Sequence, residues 1–545
     1  MISDWSDSGR GNTRRGSGWR GASKRSGRPR RVLAVLVAAV YLTFAAAAAG
    51  VTALVLHQRS VLALDPGQNL PPRYLVLMVL DGAQPADLTV GKLPHLDALR
   101  AAGTQYTNAF DGILEAETPA GHATISTGSR PDHNGILGFD WSTANARYSL
   151  FSPDQMASVE QILQNSGAPT IGSLYKKQYP HAVVVALSGH KYYAAAPLGG
   201  PAADAIMYYQ GDPNGRYVPT SVPGHVPPAS VLAAPGLTTP TIHLPDGAEN
   251  HLATELALSA VARMHPRILL INYPEFDWPL GHVDGGLESR SKVATDMTQF
   301  DTDLGLIESA YRRAGVLGRT LFAITADHGM MPVSHFIPSS VVDNAVSAAG
   351  TTAPDIASSS ADYIWLADQT KAQAVAQNIM NAHESGIQSA YYLAGSGAGL
   401  HYISAVPGSV TPALETANQY LLDALLNGHQ PTVVVFGHEG ATFTSPTTGW
   451  KADHGGNSWE SQHIPLVLSG PGILRGVTVS APAALEDVAP TVLTDMGVAP
   501  RGMEGHALTD ALEQSSQSQQ RARVAEAGQL TPIQEALTSA SAAGR

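Results

Sequence analysis

Seven consecutive apolar residues, Tyr74 to Leu80 (YLVLMVL), lie between Pro72 and Asp81-Gly82. A strand with one solvated face alternates polar and apolar residues, so an unbroken run of this length predicts a central parallel strand covered on both faces. Four comparable runs follow: His181 to Leu187, Arg267 to Asn272, Thr320 to Thr325 and Ile464 to Ser469. Leu93 to Ala102 has helical spacing and stops at Gly103, and Ser291 to Ala314 reads as a longer helix. Strands that alternate with helices argue for an α/β fold with a mostly parallel central sheet flanked by helices. A chain of 545 residues buries an ample core for such a sheet. It contains no cysteine, which excludes disulfide scaffolds, thiolate metal sites and cysteine nucleophiles.

Charge is distributed unevenly. Residues 1–31 carry nine basic and two acidic side chains, a net +7, whereas the whole chain carries -12. The acidic body is a poor partner for duplex nucleic acid. The Gly/Ser/Arg-rich arm has too few apolar residues to fold and is expected to be disordered. Val32 to Leu56 is an uncharged run of 25 residues, long enough to span a bilayer. With the basic arm before it, it predicts a single-pass signal-anchor at the cell membrane, arm in the cytoplasm and body outside. Arg30-Arg31 and the small residues Ala45 to Ala49 also fit a cleaved export signal, and both readings export the body. Residues 57–73 then read as a linker, residues 74–512 as the folded domain, and residues 513–545 as a mobile tail. Insertions near 192–250 and 332–445 interrupt the alternation and are expected to act as caps that shape a pocket.

Open α/β sheets place their ligands beyond the carboxyl ends of strands, and there the polar residues cluster. Asp81 ends the first strand, Asp277 and His282 follow the third, Asp327-His328 end the fourth, and Asp453-His454 precede the fifth. Carboxylate and imidazole donors in this combination suit a divalent cation such as zinc. Residues 115–128 (EAETPAGHATISTG) supply a hydroxyl. Thr118 precedes a Pro-Ala-Gly turn and a helical stretch ending at Gly128, so it sits where a helix N-terminus favours an anionic substrate. Helix capping is the alternative role for Thr118.

Together these residues resemble the alkaline phosphatase superfamily, in particular its type I phosphodiesterase and nucleotide pyrophosphatase branch. The resemblance runs from about Tyr74 to Leu512. It is carried by Leu80-Asp81-Gly82, Lys92 to Asp97 with Gly103, Thr118 with His122 and Thr127-Gly128, Asp277 to His282, Ala326 to Met330, His454, Ser469 to Gly472 and Leu485 to Thr491. It implies an alkaline phosphatase-like fold and two Zn2+ ions or another divalent metal. One ion would be held by Asp81, Thr118, Asp327 and His328, the other by Asp277, His282 and His454. It further implies hydrolysis of a phosphate ester through a phosphothreonine on Thr118. The same fold also hosts phosphomonoesterases, sulfatases and lipid-headgroup phosphotransferases; a membrane-tethered binding protein without catalysis is the remaining alternative.

Three departures from the family pattern matter. One extra residue separates Asp277 from His282, which makes Glu275 a spare ligand candidate. Phe139 stands where relatives tend to carry an oxygen-binding Asn, with Asn134 close by in sequence. Lys191 matches a phosphate-gripping Lys, but Tyr193 replaces the Arg that accompanies it. Losing an amide and a permanent charge while gaining apolar area tilts the expected substrate from monoester toward diester.

Overall fold

The computed structural model describes residues 73–142, 147–152, 155–211, 217–233 and 247–544. The basic arm and the anchor expected over Val32 to Leu56 lie outside the described residues. Among the described residues no helix is long and apolar enough to cross a membrane.

The first apolar run forms β1 (Tyr74–Leu80), buried at every residue. The same sheet contains β2 (Gly103–Phe110), β3 (Val184–Ser188), β4 (Ala205–Gly211), β5 (Tyr217–Ser221), β6 (Ile268–Tyr273), β7 (Thr320–Thr325), β8 (His463–Ser469) and β9 (Val477–Val479). Their spatial order is β9-β2-β8-β7-β1-β6-β3-β4-β5. β1 pairs in parallel with both β6 and β7, placing Met78 opposite Ile271 and Ile324. β3 continues the parallel set between β6 and β4. The five apolar runs are thus five strands of one sheet, and the centre is parallel.

The sheet is mixed rather than uniform. β8 runs antiparallel to both neighbours, β2 and β7, and β5 runs antiparallel to β4. An apolar run reports burial on both faces and says nothing of direction, so the reversal of β8 has no signature in its residues. β2 (GTQYTNAF) has partly exposed positions, and its mixed composition hides it among loop residues.

Helices cover the faces. They include α1 (Pro94–Ala101), α2 (Thr118–Thr127), α3 (Tyr192–Gly199), α4 (Ala248–Arg263) and α5 (Arg290–Arg313). α5 packs against α4 and α1. Residues 192–250, expected as an insertion, supply α3, β4, β5 and the start of α4 to the main sheet and its cover. Residues 332–445 hold a second sheet of five antiparallel strands, in the order Asp355–Ser358, Ala361–Trp365, Val433–Gly437, Ile387–Ala394, His401–Ser404. It has an apolar cluster of its own, including Ile364, Val375, Ile379 and Val433.

The expectation of a mobile tail after Leu512 is corrected. Gln517–Gly544 forms a helix (α7) that packs against α6 (Pro412–Asp423). Leu530, Ile533 and Leu537 recur at helical spacing and are buried. The Ser/Gln-rich start of the segment masks that stripe.

Candidate active site

Because β1, β6 and β7 are parallel neighbours, their carboxyl ends open on one edge. Asp81 follows β1 directly, Asp277 follows β6 after a single turn at Pro274–Phe276, and Asp327-His328 follow β7. Close backbone approach is required, and two glycines permit it. Gly82 has a left-handed φ of 79°, and a Cβ there would lie 2.9 Å from the Cα of Asp277. At Gly121, within α2, a Cβ would lie 2.7 Å from the Cβ of Asp327, so α2 rests directly on that residue. Thr118, the first residue of α2, is thereby held at the strand ends and is buried.

The Thr118 hydroxyl lies 3.4 Å from Asp81 Oδ1. His328 Nε2 is 3.7 Å from the same Asp81 oxygen and 3.5 Å from Asp327 Oδ2. On the other side, His282 Nε2 and His454 Nε2 stand 3.1 Å and 3.7 Å from Asp277 Oδ1. The His454 ring lies between the two groups, 4.0 Å from the His328 ring and 5.0 Å from that of His282. The structure therefore brings together all seven residues expected as ligands. The extra residue between Asp277 and His282 does not separate their side chains.

Each expected neighbour has a definite place. The Glu275 carboxylate turns away and accepts from the backbone N–H groups of Gly247 and Asn250 at 3.0 Å and 2.9 Å, at the start of α4. It is not a spare ligand. Asn134 is a turn residue: its side chain accepts from Ile136 N–H and donates to the Ser129 carbonyl. The Lys191 ammonium donates to Asp81 Oδ1 at 2.8 Å and to Asp277 Oδ2 at 2.5 Å, linking the two carboxylate groups. Phe139 and Tyr193 pack together with ring centroids 5.0 Å apart.

Three further residues belong to this assembly. His122 Nδ1 contacts the Thr118 carbonyl at 2.8 Å and Asp327 Oδ2 at 3.2 Å. Asn272 donates to Asp81 Oδ2 at 2.7 Å and reaches His122 Nε2 at 2.9 Å. Asp453 accepts from the Thr442 hydroxyl and the His454 N–H. The signals were in the sequence: His122 lies one helical turn after Thr118, and Asn272 is a polar residue closing an apolar strand.

Burial and neighbouring charges act differently on each group of the centre. Burial, reinforced by His328 and His282, drives His454 well below the ordinary histidine value, so it stays neutral. Burial would raise Asp277 and Asp327, but Lys191 and His282 hold the first well down, and His328 and His122 hold the second down. Asp81 is raised by burial and by the Asp327 charge. Asp277 Oδ1, Asp327 Oδ2, His328 Nε2 and His454 Nδ1 are buried and make no hydrogen bond. Buried donors left without partners are costly, and a convergent carboxylate and imidazole set of this kind fits a divalent cation.

A cavity of about 480 Å³ opens above these groups. Asp277, His282 and His454 lie at its base, with Phe139 and Tyr193 in its wall. Lys191 does not line it. Glu117, which precedes the nucleophile candidate, does line it and accepts from the Phe139 N–H at 2.8 Å. Burial pushes its carboxyl up to about 8.

Known proteins resemble this chain to differing extents. Alkaline phosphatase PhoK of a Sphingomonas species is 30% identical over 159 residues, 27% of this chain and 28% of that protein. Alkaline phosphatase PhoD of Zymomonas mobilis is 32% identical over 116 residues, 20% of each chain. The aligned stretches thus span under a third of these relatives. Among solved structures, wild-type alkaline phosphatase PafA superimposes with a TM-score of 0.61 at 17% identity, covering 81% of this chain and 99% of its own. Murine ectonucleotide pyrophosphatase/phosphodiesterase 5, in an inactive variant complexed with AMP, gives 0.56 at 14% identity, covering 81% and 100%. At these identities the likeness concerns the fold. A family-wide match covers residues 75–457, a stretch that includes β1, α2, the strand ends of the candidate centre and His454. By that match the chain belongs to the type I phosphodiesterase / nucleotide pyrophosphatase family.

Proposed function

We propose that this chain is a metal-dependent phosphoester hydrolase, a phosphodiesterase, that works through a phosphothreonine on Thr118 with two zinc ions. The observation that carries the reading is the placement of one buried hydroxyl, at a helix N-terminus, among six other converging donors, four of which have buried atoms without hydrogen bonds. Asp81, Asp327 and His328 with Thr118 would hold one ion, and Asp277, His282 and His454 the other. Such ions, when bound, promote loss of the hydroxyl proton and stabilise charge on the attacking and leaving oxygens.

The chain's own residues supply orientation. α2 aims the Thr118 oxygen into the centre, and its N-terminal dipole favours the charged phosphoryl group. Asn272 fixes Asp81 by a hydrogen bond, and His122, bonded to the Thr118 carbonyl, stands 3.2 Å from Asp327, which keeps the carboxylates in register with Thr118. Thr118 Oγ1 bonds to phosphorus as the ester oxygen departs with its electron pair; water then breaks the phosphothreonine bond and frees Thr118. Lys191 brings a cation beside Asp81 and Asp277, and this feature favours a second reading, hydrolysis of the more highly charged monoester. The aromatic wall of Phe139 and Tyr193 favours the diester. The uncharged run of residues 32–56 behind a basic arm supports action outside the cytoplasm, at the membrane where it is retained as an anchor.

Two measurements test the reading. Exhaustive chelation should abolish hydrolysis of a nitrophenyl diester, and zinc should restore it; full activity after chelation overturns the metal requirement. Thr118→Ala should lower kcat by at least about a thousandfold while metal content is retained, and Thr118→Ser should keep part of it. Wild-type turnover in Thr118→Ala overturns the nucleophile.

A further inference from the structure

Just past residue 457, where the family match ends, lies a four-residue helix, Trp459–Gln462. Its bonds reach the segments that carry donors of both groups in the candidate centre. The Ser461 carbonyl accepts from the N–H of Gly329, the neighbour of His328, at 2.6 Å. The Ser461 hydroxyl donates to the carbonyl of Gly455, the neighbour of His454, at 2.9 Å. The Gln462 side chain donates to the carbonyls of Gly456 and Ile113 at 2.9 Å and 2.8 Å and accepts from the Gly112 N–H, so it ties the His454 loop to the segment that leads to Thr118. The Glu460 carbonyl accepts from the side chain of Gln84, three residues after Asp81, at 2.8 Å. Contact with the centre is close: a Cβ at Gly329 would lie 2.3 Å from the Glu460 carbonyl oxygen.

A helix of one turn does not hold itself in place, and its own N-cap residue, Ser458, makes no side-chain bond to it. The cap comes from the far end of the chain. The Trp459 N–H, one of the donors that a helix start leaves free, donates to the Ser541 hydroxyl oxygen on α7 at 2.7 Å. Ser541 follows Leu530, Ile533 and Leu537 on the buried stripe of α7 and is only 3% exposed. A hydroxyl buried at the end of an apolar stripe is costly unless it is bonded, and here its bond fixes the short helix.

We propose that Ser541 is a positioning residue of the candidate centre: docked α7 clamps the short helix, which in turn sets the backbone beside His328 and His454. Ser541 acts through that helix alone. This role rests on the metal-dependent hydrolase reading above and extends it to a residue outside the family match. Because one bond joins the two events, α7 docking and metal binding must strengthen each other by the same factor.

Ser541→Ala tests the clamp in the purified full chain, read by competition for zinc with a chelating dye rather than by turnover. Loss of one buried hydrogen bond should weaken zinc binding by about two- to tenfold. At limiting zinc, hydrolysis of a nitrophenyl diester should fall by a similar factor, and excess zinc should restore it. Ile307→Val, a small loss of packing at a buried position of α5, should move neither readout. In the unmodified chain zinc should raise hydrogen-exchange protection over residues 517–544, and Ser541→Ala should remove part of that gain. Unchanged zinc affinity in Ser541→Ala, or an equal fall in Ile307→Val, overturns the proposal and leaves the hydrolase reading standing. Zinc affinity that depends on Ser541 in a protein that hydrolyses no ester would instead sink the hydrolase reading and keep the clamp.

Discussion

At the scale of single residues, the informative position is Phe139. Its ring is the partner of both Phe151 and Tyr193, and its backbone N–H anchors Glu117. Phe139→Asn removes the ring stacking and introduces an amide donor, while the N–H bond to Glu117 survives. The ratio of diester to monoester kcat/KM should therefore fall, by about three- to tenfold if the aromatic pair contributes its usual share. Matched nitrophenyl substrates measure it, and an unchanged ratio would detach Phe139 from substrate choice. Asp81, Asp277, Asp327 and His328, expected as ligands, were legible because each comes after an apolar run whose end the eye can find, Thr118 because it opens a helical stretch, and His454 because an Asp-His pair stands ahead of the fifth run. Glu275 was misleading because proximity in sequence to a strand end says nothing of the direction of the side chain, whereas Asn134 is the turn residue that its place beside Gly135 suggests. Glu275 caps α4, and Asn134 closes a turn.

Elements that bury a stripe can be read, and those whose stripe is diluted cannot. β1 and β7 were legible to the residue, as uniform apolar runs. β2 and α7 were not, the first because its residues mix exposures, the second because polar residues open it. α7 carries its own prediction. Burial, aided by the Asp487 charge, pushes the Glu526 carboxyl up to about 10, and Glu526 also contacts His506 Nδ1 at 3.0 Å. A carboxyl whose folded value is raised binds its proton more tightly when docked than when free. Its contribution is fully present below the ordinary carboxylate value near about 4.3 and is lost as pH climbs toward 10. Hydrogen-exchange protection factors over residues 517–544 should decline from pH 6 to pH 9, and Glu526→Gln should flatten that decline. Constant protection across that range would show that the docked helix is indifferent to this proton.

For the whole molecule, the acidic body and basic arm make a statement about placement that the described residues leave to experiment. The full chain should fractionate with membranes, and protease added from outside should digest the body, if Val32 to Leu56 is retained as an anchor. A soluble mature form beginning near Gly50 would establish the cleaved signal instead. The position of β8 has a consequence in time. β2 is complete at Phe110, yet the strand that pairs it to the rest of the sheet, β8, begins at His463. At about 5–20 residues per second, synthesis leaves that edge without its partner for tens of seconds. His454 emerges in the same late stretch, so the nascent chain carries its hydroxyl and first carboxylate long before a working centre can close around them. A ribosome stalled before β8 should therefore display a polypeptide that holds the nucleophile, lacks hydrolytic power, and offers a naked strand edge to chaperones or to its own neighbours.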